Sequence, residues 1–151
     1  MNTLTTQLQN TWHGEIPISK EMGVHVASFG NDVLTVRAAL APNINVHGTA
    51  FAGSLYAVAA LTGWGMTWLQ LKTRGIDASI VIASGSIDYV KPVAEDIVSV
   101  CEFDTAFHAP AFEQLIKDGK CRLPLVCSIA AKGEEAARFR GDYAVRLNNA
   151  R

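Results

Sequence analysis

Between Arg37 and Lys72 the chain carries no Asp, Glu, Lys or Arg, and no other feature limits its fold as tightly. The spacing predicts a long helix from about Thr49 to Thr73, stopped by Arg74-Gly75 and apolar on nearly every side. Such a helix has to be enclosed, either by lipid or by protein. Ala50 to Leu71 approaches the roughly 20 residues that a membrane span needs. Thr49, Ser54, Thr62, Thr67 and Gln70 interrupt it, and strand-like sequence is abundant elsewhere. Enclosure by a sheet is therefore expected, with no membrane association.

The flanking sequence supplies that sheet. Leu4, Leu8 and Trp12 recur at helical spacing and predict a short amphipathic helix ending near His13-Gly14. After Ile16-Pro17-Ile18 strands are expected over 22–29 and 32–40, turning at Gly30-Asn31. Beyond the long helix, strands are expected over 79–90 and 96–103. A connection with a helical turn at 112–117 follows, then strands over 123–132 and 136–147 around Gly133-Glu134-Glu135. In the last of these, Ala137, Phe139, Gly141, Tyr143, Val145 and Leu147 alternate with Arg138, Arg140, Asp142 and Arg146. One face is buried and the other solvated. A single antiparallel sheet can enclose the helix only by curling round it, which predicts an α+β fold.

At 151 residues, 49% apolar and a net charge of −1, the chain suits one domain, 1–151, with one core. It lacks the positive excess that nucleic acid binding requires. Cys101, Cys121 and Cys127 have no CxxC spacing, and the four His residues stand at no ligand spacing, so neither a disulfide framework nor a metal site is expected. Met1 to Lys20 has no basic segment followed by an apolar run. Free thiols and no evident secretory signal make the cytoplasm the expected compartment.

The polar entry to the long helix, Asn43-Ile44-Asn45-Val46-His47-Gly48-Thr49-Ala50-Phe51-Ala52-Gly53-Ser54-Leu55-Tyr56, is the candidate site. A loop that opens a helix aims unpaired N–H groups and the positive dipole end at whatever binds there. Asn45 is suited to polarising a carbonyl or positioning water, or to capping the loop as an Asx turn. His47 is suited to general base work or to holding the loop. Gly48 permits the turn; Gly53 permits close approach of a ligand or tight packing. Phe51, Ser54 and Tyr56 either line a slot or belong to the core. Asp88 is a second candidate base. Counted by twos it shares a strand face with Ile82, Ser84 and Ser86, where burial would raise its pKa; the alternative is a strand-end carboxylate turned to water. Trp64 and Trp68, one turn apart, suit core or subunit packing.

The loop, together with Thr62-Gly63-Trp64-Gly65 and Asp88-Tyr89-x-x-Pro92-Val93, resembles the hotdog fold over nearly the whole chain. It is most similar to the thioesterase domain found at the C-terminus of certain bacterial acetyltransferase-like proteins. The resemblance implies a curved antiparallel sheet wrapped around one long helix. It also implies a homodimer or dimer of dimers, no cofactor, and hydrolysis of an acyl thioester of coenzyme A or acyl carrier protein. The helix start would serve as the oxyanion hole. Asn45, His47, Gly53 and Asp88 would be catalytic, and Phe51, Ser54, Tyr56 and Ser84 would bind substrate. Lys72, Arg74 and Lys91 would be candidates for the coenzyme A phosphates.

Better-characterised hotdog thioesterases read Asn-x-x-Gly-x-x-His-Gly-Gly in this loop, with a carboxylate on the helix. Here the Asn is Asn45 and the first Gly is Gly48. The His becomes Phe51, the next Gly becomes Ala52, and the last Gly remains Gly53. The helix carboxylate is replaced by Ala60 or a near neighbour. A non-catalytic acyl-thioester or carrier-protein binding module is therefore the rival expectation, and a hotdog dehydratase ranks third.

Overall fold

The structure, a computed structural model, describes residues 3–148, so both ends of the expected domain 1–151 lie outside the described residues. The order is α1 (Thr3–Glu15), α2 (Pro17–Glu21), β1 (His25–Gly30), β2 (Val33–Ala38), a 3-10 turn (Ala41–Asn43), α3 (Ala52–Thr73) and β3 (Ala78–Tyr89). Then come β4 (Ile97–Glu102), α4 (Thr105–Asp118), β5 (Lys120–Ala131) and β6 (Glu134–Leu147). Six antiparallel strands form one sheet in the order β1-β2-β4-β5-β6-β3. The sheet curls round α3, whose Leu55, Val58, Ala59, Met66, Leu69 and Leu71 are buried. This is the α+β architecture that the uncharged stretch demanded. Among the described residues no helix is long and apolar enough to cross a membrane.

Two glycines let α3 approach its neighbours. A Cβ built on Gly65 would lie 2.7 Å from Cζ2 of the fully buried Trp12 of α1. One on Gly63 would collide with Oη of Tyr143 and lie 2.6 Å from its Cζ. Tyr143 is itself fully buried and donates its O–H to Ala60 O at 2.7 Å. The helix is thus keyed to α1 on one side and to β6 on another.

The two sheet edges differ. The N–H of Val26 in β1 is taken by the side chain of Gln9 on α1, at 2.9 Å. On the other edge strand, β3, Trp64 Nε1 donates to Ile80 O at 3.2 Å, while Val81, Ile82 and Tyr89 are exposed. A twelve-residue edge strand with exposed apolar side chains invites pairing.

Several boundaries differ from the expectation for local reasons. The first hairpin turns one residue later, at Asn31 and Asp32, both with positive φ as a two-residue loop of this hand requires. The second turns at Lys132 and Gly133. Pro17 starts the short α2, at the helix position where its missing N–H costs nothing. The connection expected to hold one helical turn is the full helix α4. Asp104 Oδ1 caps it by accepting from Phe107 N–H at 3.0 Å, and Gly119 ends it in the left-handed region. Pro110 lies inside this helix, against its usual role as a breaker.

All three cysteines are free and buried. Cys101 and Cys127 face each other across the β4–β5 ladder. Their thiol–thiol hydrogen bond, with burial, holds the Cys127 thiol well above its usual pKa, and burial raises Cys121. Native protein at neutral pH is therefore expected to resist iodoacetamide, with all three thiols alkylated only after unfolding, as counted by intact mass. Rapid labelling of a native thiol would contradict this packing.

Candidate functional site

The chain reaches α3 through a small hairpin of its own. Ile44 pairs with Ala50 as an isolated bridge. Asn45 N–H donates to Thr49 O at 2.8 Å, and Gly48 N–H donates to Asn45 O at 3.2 Å. Gly48 takes φ +78°, the left-handed position that closes a loop of this kind. The Asn45 side chain holds the turn together. Its Oδ1 accepts from the N–H groups of His47 (2.8 Å) and Thr49 (3.1 Å), and its Nδ2 donates to Thr49 Oγ1 at 2.9 Å. With these bonds made, Asn45 has the geometry of an Asx turn, one of the two roles its position allowed. The far side of the loop is tied to the body by Ala50 N–H on Val93 O and Phe51 N–H on Asn43 O, both 2.7 Å.

Because Thr49 and Ala50 belong to this hairpin, the helix starts at Ala52, three residues later than the pattern suggested. Phe51 occupies the N-cap position and no side chain caps the first turn. The first intrahelical bond runs from Leu55 N–H to Phe51 O at 3.0 Å. The N–H groups before it, including that of Gly53, are left for an outside acceptor, with the positive end of a 22-residue helix behind them. Ala52 and Gly53 are exposed. A Cβ on Gly53 would lie 2.5 Å from Cε2 of Phe51, so the glycine also lets the half-exposed Phe51 ring lie across the helix start.

Around this start stand groups of unequal promise. His47 is exposed on the hairpin tip, and its ring makes no hydrogen bond among the described residues. Ser54 is nearly buried and lies on the core side. Tyr56, one turn in, is half-buried and packs edge-on against Phe139 with centroids 5.1 Å apart. Tyr89, part of the Asp88-Tyr89-x-x-Pro92-Val93 motif, joins this group. Its O–H donates to Ala52 O at 2.9 Å, and burial, with neighbouring Tyr56 adding to it, pushes its pKa up, so the phenol keeps its proton. The register of β3 turns Tyr89 toward α3 and gives it this contact.

The same register corrects the expectation for Asp88 and Ser84. Ile82 pairs with Tyr143 on the inner face, but a bulge at Ala83 shifts the phase, so Ser84 pairs with Asp142 and Ser86 with Arg140. Ser84, Ser86 and Asp88 therefore lie on the outer, solvated face, opposite to Ile82 and to the helix start. Asp88 Oδ2 sits 3.3 Å from Nη1 of Arg140, and its side chain is 76% exposed. It is a solvated ion-pair partner. Neither it nor Ser84 faces the helix start.

The three candidate phosphate ligands also have local partners. Lys72 lies over the Trp68 ring at 5.3 Å, Arg74 over Phe112 at 4.1 Å, and Lys91 pairs with Glu134. Among the described residues no three His, Cys, Asp or Glu side chains converge as a metal site would need. Along α3 there is neither Asp nor Glu. The helix start therefore offers N–H donors beside the Phe51 ring and the Tyr89 phenol, with the exposed His47 imidazole on the tip of the hairpin that leads into it. Such a set can bind and polarise a carbonyl and hold a developing negative charge.

Residues 5–147 match the family described as "Putative thioesterase (yiiD_Cterm)". Among solved structures, the chain is similar to a "putative thioesterase" from Shewanella oneidensis, with 36% identity, 97% of this chain and 99% of that chain covered, and a TM-score of 0.85. It is similar to a protein of unknown function from Chlorobaculum tepidum TLS, with 31% identity, coverage of 96% and 95%, and a TM-score of 0.92. A thioesterase from Haemophilus influenzae, at 12% identity with coverage of 99% and 96% and a TM-score of 0.74, shares the fold.

Proposed function

We propose an acyl-thioester hydrolase, and the premise is plain: the chain belongs to the thioesterase family whose match spans residues 5–147. The substrate class is an acyl thioester of coenzyme A or of acyl carrier protein. One observation carries this: the uncapped start of α3, presented by a hairpin that Asn45 braces from inside. The Gly53 N–H serves as an oxyanion donor as the carbonyl becomes tetrahedral. Loss of such a donor typically costs about 3 kcal/mol of barrier. Asn45 is a positioning residue. His47 takes the proton from the attacking water, because it is the only imidazole, carboxyl or ammonium side chain between Arg37 and Lys72. Phe51 and Tyr56 wall the acyl slot.

The working unit is a homodimer formed along β3. The β1 edge is held by Gln9, whereas along β3 Val81, Ile82 and Tyr89 stay exposed, and beside it α3 carries a half-buried apolar stripe of Ala60, Trp64 and Trp68. A second copy would cover both at once. A reducing cytoplasm suits the three free thiols.

The two faces of β3 make the test. Ile82→Lys, on the inner face, is expected to give a monomer by light scattering and to abolish thiol release from acyl-CoA. Asp88→Asn, on the outer face, is expected to stay dimeric and within about twofold of the parent, as surface substitutions usually do. A monomeric parent, or a large loss in Asp88→Asn, would overturn this assignment. The absence of a carboxylate along α3 favours one alternative, a module that binds acyl thioesters without hydrolysing them.

A further inference from the structure

Behind the helix start, three aromatic rings fill the layer between α3 and the β6–β3 side of the sheet, each seated over a glycine. A Cβ on Gly85 would lie 2.5 Å from Oη of Tyr56 and 3.1 Å from the Phe139 ring. One on Gly141 would lie 2.7 Å from Phe139 and 2.8 Å from Tyr143. The third hollow, at Gly63, is taken by Tyr143. Phe139 and Tyr143 are buried parts of the core, at 1% and 0% exposure. Tyr56 is the outermost ring and is only half-buried. Its phenol makes no hydrogen bond among the described residues. Unlike Tyr143, then, it is not tied to the fold by a polar contact. It stands one turn beyond Gly53, between the helix start and Phe139.

We propose that Tyr56, backed by Phe139, is the chain-length stop of the acyl slot, so that this protein takes short acyl groups. The proposal rests on the thioesterase function argued above. The geometry behind it is simple. Gly53 and Tyr56 are neighbours on one helix face, three residues apart, or roughly 5 Å along the axis. An acyl chain whose carbonyl sits at the Gly53 N–H and runs inward has room for only a few carbons before it meets the Tyr56 ring. Beyond that ring the volume is held by Phe139, which Tyr56 meets edge-on at an interplanar angle of 83°. Removing the Tyr56 side chain would extend the slot to the Phe139 ring without touching the helix start, the hairpin or His47.

The test uses the full chain and a series of acyl-CoAs from acetyl to dodecanoyl, with matching non-hydrolysable thioether analogues. Thiol release and calorimetric binding are measured for the parent, Tyr56→Phe, Tyr56→Leu and Tyr56→Ala; the Leu variant keeps the site apolar should the Ala variant fold poorly. The parent is expected to favour acyl groups of a few carbons. Tyr56→Ala and Tyr56→Leu should move the optimum to longer chains, raising kcat/KM for decanoyl-CoA about tenfold or more, the discrimination that a methylene or two commands in an apolar pocket. Tyr56→Phe should keep the parent profile. Identical length profiles in all four proteins, or a parent that already prefers long chains, would overturn the proposal. A shifted binding profile without thiol release would uphold the stop and refute hydrolysis. Thiol release with an unshifted profile would do the reverse, and no binding by any analogue would refute both.

Discussion

Replacing His47 with alanine is expected to lower kcat for thioester hydrolysis by about 10²–10⁴-fold, the usual contribution of a positioned general base. The same variant should unfold within about 0.5 kcal/mol of the parent. The two outcomes separate cleanly because of how the hairpin is built. The backbone N–H of His47 is bonded to Asn45 Oδ1, while its imidazole is exposed and holds nothing in place. Alanine keeps the backbone bond and removes only the ring. A drop in kcat with unchanged KM and unchanged melting temperature assigns His47 a chemical role. Parent-like kcat would place the base elsewhere, and with Asp88 on the outer face no other carboxylate or imidazole lies in the Arg37–Lys72 segment.

Gly63→Val is expected to have the largest effect on stability, about 3 kcal/mol or more. For a chain of this length that corresponds to a fall of roughly 6–12 °C in melting temperature. A Cβ at this point collides with Oη of Tyr143. Tyr143 has no room to retreat, being fully buried and bonded to Ala60 O. Burial drives its phenol pKa upward, so ionisation offers no escape either. Gly14→Ala is the control. It also lies in a helix, but a Cβ there meets nothing within 4 Å, so it should be neutral or stabilising by up to about 1 kcal/mol. Equal melting shifts for the two variants would mean that Gly63 is not a packing contact.

Gly63 and Asp88 show how far the sequence can be read. Gly63 lies in the stretch whose lack of charge demanded an enclosed helix, and the alternation through β6 supplied the inner face that meets it. That inference needs only local periodicity. Asp88 shows where periodicity stops. Counting by twos from Ile82 puts it on the helix side, yet the bulge at Ala83 reverses every later residue of β3. No residue type at that position announces a bulge. Likewise Pro110 hid α4, because its cap at Asp104 and stop at Gly119 outweigh one lost hydrogen bond. In the site, the hairpin and the glycine at the helix start were legible as a loop feeding a helix. The double duty of the Asn45 side chain, and the phenol of Tyr89 on the first turn, depend on contacts between elements far apart in sequence.

The most direct test of the central claim is the mass of the products formed from a short-chain acyl-CoA and its 3-hydroxyacyl counterpart in ¹⁸O-labelled water. A hydrolase using the start of α3 releases free coenzyme A and a carboxylic acid carrying one ¹⁸O atom, in equal amounts, from either substrate. Recovery of bound, intact thioester with no labelled acid would contradict it in favour of a binding module. Loss of water from the hydroxyacyl group with the thioester intact would contradict it in favour of a dehydratase.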